Sequence, residues 1–454
     1  MRFTRQSRRL TLVAGATGVA IALASCGASS DGGGGHDGDG GHAGGDCAAF
    51  EDYGTFDGAE VSIYSPIRDA EADLLEESWA EFSDCTGIDI AYEGSGEFEA
   101  QLNVRVEGGN APDIAFFPQP GLLQRFAGSG DLVAAPEQTE SNVDEGWTED
   151  WKAYGTVDGE FYGAPLGSNV KSFVWYSPSM FEEGGYEIPE TLDDLKALSD
   201  DIAAAGDVKP WCAGIESGDA TGWPATDWME DFMLRTAGPE VYDEWVAHEI
   251  PFNDPQVVEA ADAVGEYLKN PDYVNGGLGD VQSITTTAFQ DGGLPILDGQ
   301  CYMHRQASFY GAQLGEDVTV GEDGDIFAFY LPSADDTRPT LVAGEFVGAF
   351  ADREEVQAVQ NYLSSLEFAQ SRAALGNWLS ANQNMEASDF ASNPINELSY
   401  EVLQDPEAVV RFDGSDLMPA AVGAGSLWKA MTDWINGADT QEVLDQVEAS
   451  WPTS

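Results

Sequence analysis

Between residues 211 and 228, Trp211, Trp223 and Trp228 alternate with Glu216, Ser217, Asp219, Thr221, Thr226 and Asp227 and with three glycines. Core tryptophans usually sit among aliphatic neighbours, whereas Trp223 and Trp228 are flanked by turn residues and polar groups, as in a concave polar pocket. A sugar demands that mixture, because its apolar ring faces lie on flat aromatic surfaces while its hydroxyls need fixed donors and acceptors. Each hydroxyl buried without a partner costs about 1–3 kcal/mol, so such a site selects matching stereochemistry. The bland reading of Trp223 and Trp228 is packing.

A second cluster, residues 298–308, places His304, Arg305 and Gln306 at the end of a strand-like run. The planar guanidinium of Arg305 can bridge two vicinal hydroxyls, or form a structural salt bridge in an acid-rich body. His304 lacks a visible triad partner, which favours a hydrogen-bonding or packed histidine over a general base. No Gly-x-Ser-x-Gly, His-Glu-x-x-His or Gly-x-x-x-x-Gly-Lys occurs, so no catalytic residue, cofactor or metal site is expected. A secreted glycoside hydrolase remains the chief rival, since paired carboxylates arise by chance among 81 acids. Trp378 and Trp428 stand in turn-like or helix-start settings and could either stack or pack.

These clusters need elements to hold them. Residues 60–64 alternate as a strand, and Leu74, Leu75, Trp79 and Phe82 mark one face of a following helix. Strand 88–92, a helix through Phe98, Leu102 and Val106, and strand 114–117 complete an alternation that implies a parallel sheet with helices on its faces. Ligands of such sheets bind beyond the carboxyl ends of the strands, so the loops at Ser65-Pro66, residues 94–96 and residues 118–121 converge as candidates. A second α/β body begins with strand 170–176 and a helix capped by Thr191 and Asp194. The apolar run 341–350, the helix that follows it and the helices 427–435 and 440–451 return the chain more than once. Several crossings fit two lobes facing each other across a hinged cleft.

The N-terminus carries Arg2, Arg5, Arg8 and Arg9, a short apolar run and then Leu23-Ala24-Ser25-Cys26. About 15 apolar residues are too few to span a membrane and read as a secretory signal. The last four residues resemble a bacterial lipobox, in which Cys26 is acylated; residues 1–25 would then be removed and 26–56 would form the anchor and a Gly/Asp-rich tether. His36 and His42 in that tether form no fixed metal site. The remaining Cys47, Cys85, Cys212 and Cys301 allow three pairings in an oxidising compartment. Their positions favour Cys47 with Cys85 and Cys212 with Cys301. With 81 acidic and 19 basic residues and a net charge of -62, nucleic acid is excluded as a partner and acidic substrates are disfavoured. The same charge admits a receptor for a peptide or cationic solute as a further alternative, although the tryptophan-rich segment does not suit one.

Residues 93–96, 104–114, 170–176, 222–228 and 304–309 together resemble extracellular solute-binding lipoproteins of carbohydrate ABC importers, most similarly the alpha-glucoside-binding proteins. The resemblance runs from about residue 57 to the end, and 222–228 is its most specific part. It implies a two-lobed periplasmic-binding-protein-like α/β fold of type II, with one lobe from 57–166 plus 340–376 and the other from 167–339 plus 377–454. By the same resemblance Ser95, Gln119, Trp223, Asp227, Trp228, His304, Arg305 and Trp428 face the sugar, with Asp413 and Asp416 as weaker candidates. It further implies a monomeric receptor on the outer face of the cell membrane, held only by its N-terminal lipid, that delivers an oligosaccharide of maltose or trehalose type to permease subunits.

Overall fold

Three larger sheets joined by short crossings, with a two-stranded ribbon of Thr156–Val157 and Glu160–Phe161, organise the computed structural model, which describes residues 47–452 apart from 207, 316, 335 and 336. The signal segment, Cys26 and the tether to residue 46 lie outside the described residues. Among the described residues no helix is long and apolar enough to cross a membrane.

The first lobe is built on a five-stranded sheet in the order Ile88–Gly94, Ala59–Ser65, Ile114–Phe117, Phe346–Ala349 and Gly163–Pro165. The first three strands are parallel, as the strand-helix-strand alternation requires, and the last two run antiparallel to their neighbours. Strand Ile114–Phe117 is buried at every residue because helices cover both faces. The helix expected through Leu74 to Phe82 is two helices, Asp69–Ser78 and Ala80–Thr86, which meet at Trp79. That break lets Leu75, Trp79 and Phe82 all reach the core, while Leu74 stays half-exposed.

The second lobe carries the sheet Phe327–Tyr330, Phe173–Tyr176, Cys301–Arg305 and Lys209–Trp211. Helix Trp223–Thr236 packs beside it and is buried along nearly its whole length. Helix Leu192–Ala205 starts at a capping box in which the Thr191 hydroxyl accepts from the Asp194 N–H and the Asp194 carboxylate accepts from Thr191.

A third sheet, Ala408–Phe412, Arg338–Ala343 and Asn169–Val170, lies at the crossings. Here one expectation is corrected and one apolar run is resolved into its elements. The single strand expected over 170–176 is two, Asn169–Val170 and Phe173–Tyr176, because Lys171 and Ser172 carry the chain from one sheet to another. The apolar run 341–350 likewise divides into Arg338–Ala343 and Phe346–Ala349 around Gly344-Glu345. At Gly344 a Cβ would lie 2.2 Å from the Gly167 carbonyl oxygen, so two crossings pass backbone against backbone where only glycine fits. A third passage runs alongside, with Ser168 bridged to Leu379.

Disulfides join Cys47 to Cys85 and Cys212 to Cys301, the favoured pairing. Cys212 and Cys301 are buried, whereas Cys47 is exposed and Cys85 partly so. Access governs thiol exchange. In the folded protein, mild reductant followed by alkylation and peptide mapping is expected to label Cys47 and Cys85 first, with Cys212 and Cys301 labelled only on unfolding. Equal labelling of all four would contradict this order.

Candidate functional site

The loops after Ala59–Ser65, Ile88–Gly94 and Ile114–Phe117 meet on one wall of a cavity, contributing Ile67, Arg68 and Glu71, then Ser95 and Glu99, then Gln119. This is the edge where a parallel sheet exposes the carboxyl ends of its strands. The crossings form the back, through Asn169, Lys171 and Glu345. Opposite stand Ser217, Trp223, Phe289 and Phe309, with Asp413, Ser415, Asp416 and Trp428 alongside.

Trp223 opens its helix at the first position, and its backbone is fixed by Gly222. With φ of +119° and a would-be Cβ only 2.2 Å from the Trp428 carbonyl oxygen, Gly222 permits an approach that no side chain would. The Trp223 ring meets Phe289 edge-on at 5.0 Å and Phe309 at 6.2 Å. The ammonium of Lys171 lies 5.3 Å from the centre of the same ring. Phe289 and Phe309 were not singled out from sequence, because neither has an unusual neighbourhood along the chain.

Four of the eight expected contact residues, Ser95, Gln119, Trp223 and Trp428, line the cavity. The structure sets Asp227, Trp228, His304 and Arg305 behind the wall instead. Trp228 is 3% exposed and packs against Trp211, Phe232 and Tyr267. Its place five residues after Trp223 turns it to the core side of the helix. Burial lowers the pKa of His304 to about 4, and its Nδ1 is 2.9 Å from the Cys212 carbonyl oxygen. The ring is therefore neutral, which fits a packed histidine and not a general base. Trp378 packs on Phe368 outside the cavity.

Asp227 and Arg305 belong to a buried chain of charges. Arg305 donates to Asp227 at 3.0 Å and to Asp231 at 2.5 and 3.0 Å, and Asp231 also accepts from Arg235 at 2.7 Å and from the Ser172 hydroxyl at 2.6 Å. Asp227 in turn accepts from Lys171 at 2.9 Å, and Lys171 donates to Asp413 at 2.5 Å. Burial opposes the Lys171 charge, but Asp227 and Asp413 together hold its pKa well above the usual lysine value. Burial likewise opposes charge on Asp413, yet Lys171 holds that carboxyl below its ordinary range. Asp413 caps the short helix Gly414–Leu417 by accepting from the Asp416 N–H and the Ser415 hydroxyl. Lys171 thus connects a crossing to both the Trp223 helix and the Asp413 loop.

Chemically, the cavity offers an aromatic plate, carboxylates and two buried polar atoms without a partner among the described residues. These are the Gln119 Oε1 acceptor and the Trp428 Nε1 donor, on side chains that are each 4% exposed. Such atoms call for a ligand that supplies both a donor and an acceptor.

Residues 68–289 match the family described as bacterial extracellular solute-binding protein. The chain is 40% identical over 404 residues to the osmoprotective compounds-binding protein GgtB of Synechocystis sp., covering 88% of this chain and 94% of that protein. It is 36% identical over 407 residues to the alpha-glucosides-binding periplasmic protein AglE of Rhizobium meliloti, covering 87% of each. Among solved structures, the maltose-bound MalE3 of T. maritima superposes with a TM-score of 0.67 at 14% identity, covering 86% of this chain and 98% of that one. The bacterial solute receptor AcbH does so with a TM-score of 0.72 at 19% identity, covering 86% and 98%. At those identities the superpositions bear on the two-lobed fold alone.

Removing Lys171 leaves Asp227 short of one cation and Asp413 with none. Lys171→Met is expected to lower unfolding free energy by about 3–5 kcal/mol, and adding Asp413→Asn to recover part of that loss. Urea denaturation of the two variants checks it; equal stability of Lys171→Met and the parent would show that the pair is not coupled to folding.

Proposed function

We infer the ligand from the premise that this chain belongs to the family of bacterial extracellular solute-binding proteins and is a binding protein, not an enzyme. It serves as the extracellular receptor of an ABC importer, and its cleft takes a small α-linked glucoside or gluco-oligosaccharide. The observation that carries this reading is the Trp223 plate, with Trp428 beside it, facing Gln119 across one cavity. An apolar sugar face lies on the indole while hydroxyls reach the unpartnered amide oxygen and indole N–H. The AglE relative, named for alpha-glucosides, supports the same ligand class.

The open form captures the sugar, the lobes close about the crossings, and both lobes together are presented to the permease. Closure is stabilised because the closed state makes contacts with both walls at once, which the open state cannot. Ser95 and Gln119 contact the ligand from one lobe; Trp223 and Trp428 contact it from the opposite wall. Asp227 and Arg305 act one step back, by fixing Lys171 and the Trp223 helix. A second reading, a small osmoprotective solute, is favoured by the match to GgtB and enters the same test. Cys26 is acylated and holds the receptor at the extracellular face of the cell membrane as a monomer.

Calorimetric titration over maltose, trehalose, longer glucans and small osmolytes is expected to give saturable one-to-one binding to a glucoside without product formation. Trp223→Ala is expected to weaken that binding by roughly ten- to a hundredfold while folding stays cooperative. Unchanged affinity would remove Trp223 from the site, and a preference for a non-glycosidic osmolyte would favour the second reading. For the anchor, Cys26→Ala is expected to abolish incorporation of labelled fatty acid into the expressed protein; unchanged labelling would argue against acylation of Cys26.

A further inference from the structure

Phe289 reaches the cavity from a turn, residues 287–293, that lies between the short helical segments Val281–Thr286 and Leu294–Ile296. A ring carried on a loop is placed only as well as that loop is held. Two anchors flank this one. Before Phe289, the Glu216 backbone donates its N–H to the Thr287 carbonyl at 2.9 Å and accepts from the Phe289 N–H at 3.0 Å. After it, the anchor is a single side chain: the Tyr310 hydroxyl donates to the Gln290 carbonyl at 2.9 Å and accepts from the Gly293 N–H at 2.9 Å. Tyr310 is fully buried and is absent from the cavity lining. Its ring is set by Trp175 at 5.5 Å and by His304 at 5.0 Å, and the backbone of Gly292 and Gly293 lies on the same imidazole.

Resting on the reading of this cleft as a glucoside site, we propose that Tyr310 is the positioning residue of its aromatic wall: the hydroxyl holds the Phe289 ring against Trp223 before a sugar arrives. Phe309 precedes Tyr310 in the short helical segment Ser308–Gln313, where successive side chains diverge. One segment therefore sends a ring into the cavity and the next ring behind the loop. Its first residue, Ser308, accepts from the Val170 N–H at 3.2 Å and ties the segment to a crossing. Trp223, Phe289 and Phe309 stand at 47° to 80° to one another, with Phe289 and Phe309 6.1 Å apart. They form a corner, not a flat platform: a pyranose lays its face on the indole and its edge against Phe289. A corner fixed in advance spares the ligand the cost of ordering it. Both hydrogen bonds of the Tyr310 oxygen go to the loop, so a phenylalanine at 310 keeps the ring packing and leaves the Gln290 carbonyl and the Gly293 N–H without that partner.

The experiment is a double-mutant cycle on the full chain, with the parent, Tyr310→Phe, Phe289→Ala and the double variant each titrated calorimetrically with maltose and with trehalose. Tyr310→Phe is expected to weaken sugar binding by about five- to twentyfold, and to change it by less than about twofold once Phe289 is alanine. A merely structural tyrosine would weaken binding equally in both backgrounds. That additive loss, or unchanged affinity of Tyr310→Phe, overturns this inference and leaves the glucoside reading standing. Hydrogen exchange on the sugar-free parent gives a check that does not depend on how the variants fold: the Gly293 amide is expected to be protected, and exchange at the rate of an open loop overturns the inference. No binding of either sugar by the parent overturns the glucoside reading and, with it, this role for Tyr310.

Discussion

Lys171 is the residue on which the rest of the site depends. It sits between two strands of different sheets, reaches Asp227 on the Trp223 helix and Asp413 on the loop that leads toward Trp428, and stands over the Trp223 ring. A buried ion pair is weak evidence for stability, because desolvation consumes much of the Coulombic gain. Its contribution here is geometric. The second rank of charges, Arg305, Asp231 and Arg235, fixes Asp227, and Ser172 next to Lys171 shares Asp231 and accepts the Leu341 N–H. The aromatic wall, the acidic wall and two of the crossings therefore hold a common register.

The fold was legible because it is written in periodicity. Alternating strands and amphipathic helices near residues 60–117 announced a parallel sheet, and its loop edge forms the cavity wall where the topology puts it. The boundaries at the crossings were not legible. Residues 170–176 read as a single strand and 341–350 as one apolar, glycine-containing run, and nothing local shows that the chain changes sheets at Lys171 or at Gly344. Site residues divide the same way. Trp223 and Gln119 declare themselves by their polar, turn-rich settings. Asp227 and Arg305 have the right chemistry for a sugar but are consumed by each other, which only the three-dimensional pairing reveals. Glu71 and Glu345, placed on the cavity wall, are hidden in a chain where acids are everywhere.

That acid excess has two physical roles. On the exterior, scattered carboxylates stay hydrated and keep the protein soluble. Inside the cleft the same residue type is partly desolvated, and its cost must be met by a proton, an internal cation or a ligand. Lys171 is engaged by Asp227 and Asp413, while Arg372 acts on Glu71 and Glu345 and Arg68 stands in the cavity lining beside them.

The close backbone approach of Gly167 and Gly344 is packed by groups other than those that line the cavity wall. The indole of Trp378 lies against Gly167 and that of Trp151 against Gly344, and neither tryptophan lines the cavity. Residues that decide what is bound can therefore be exchanged during evolution without altering the mechanical compliance of the joint.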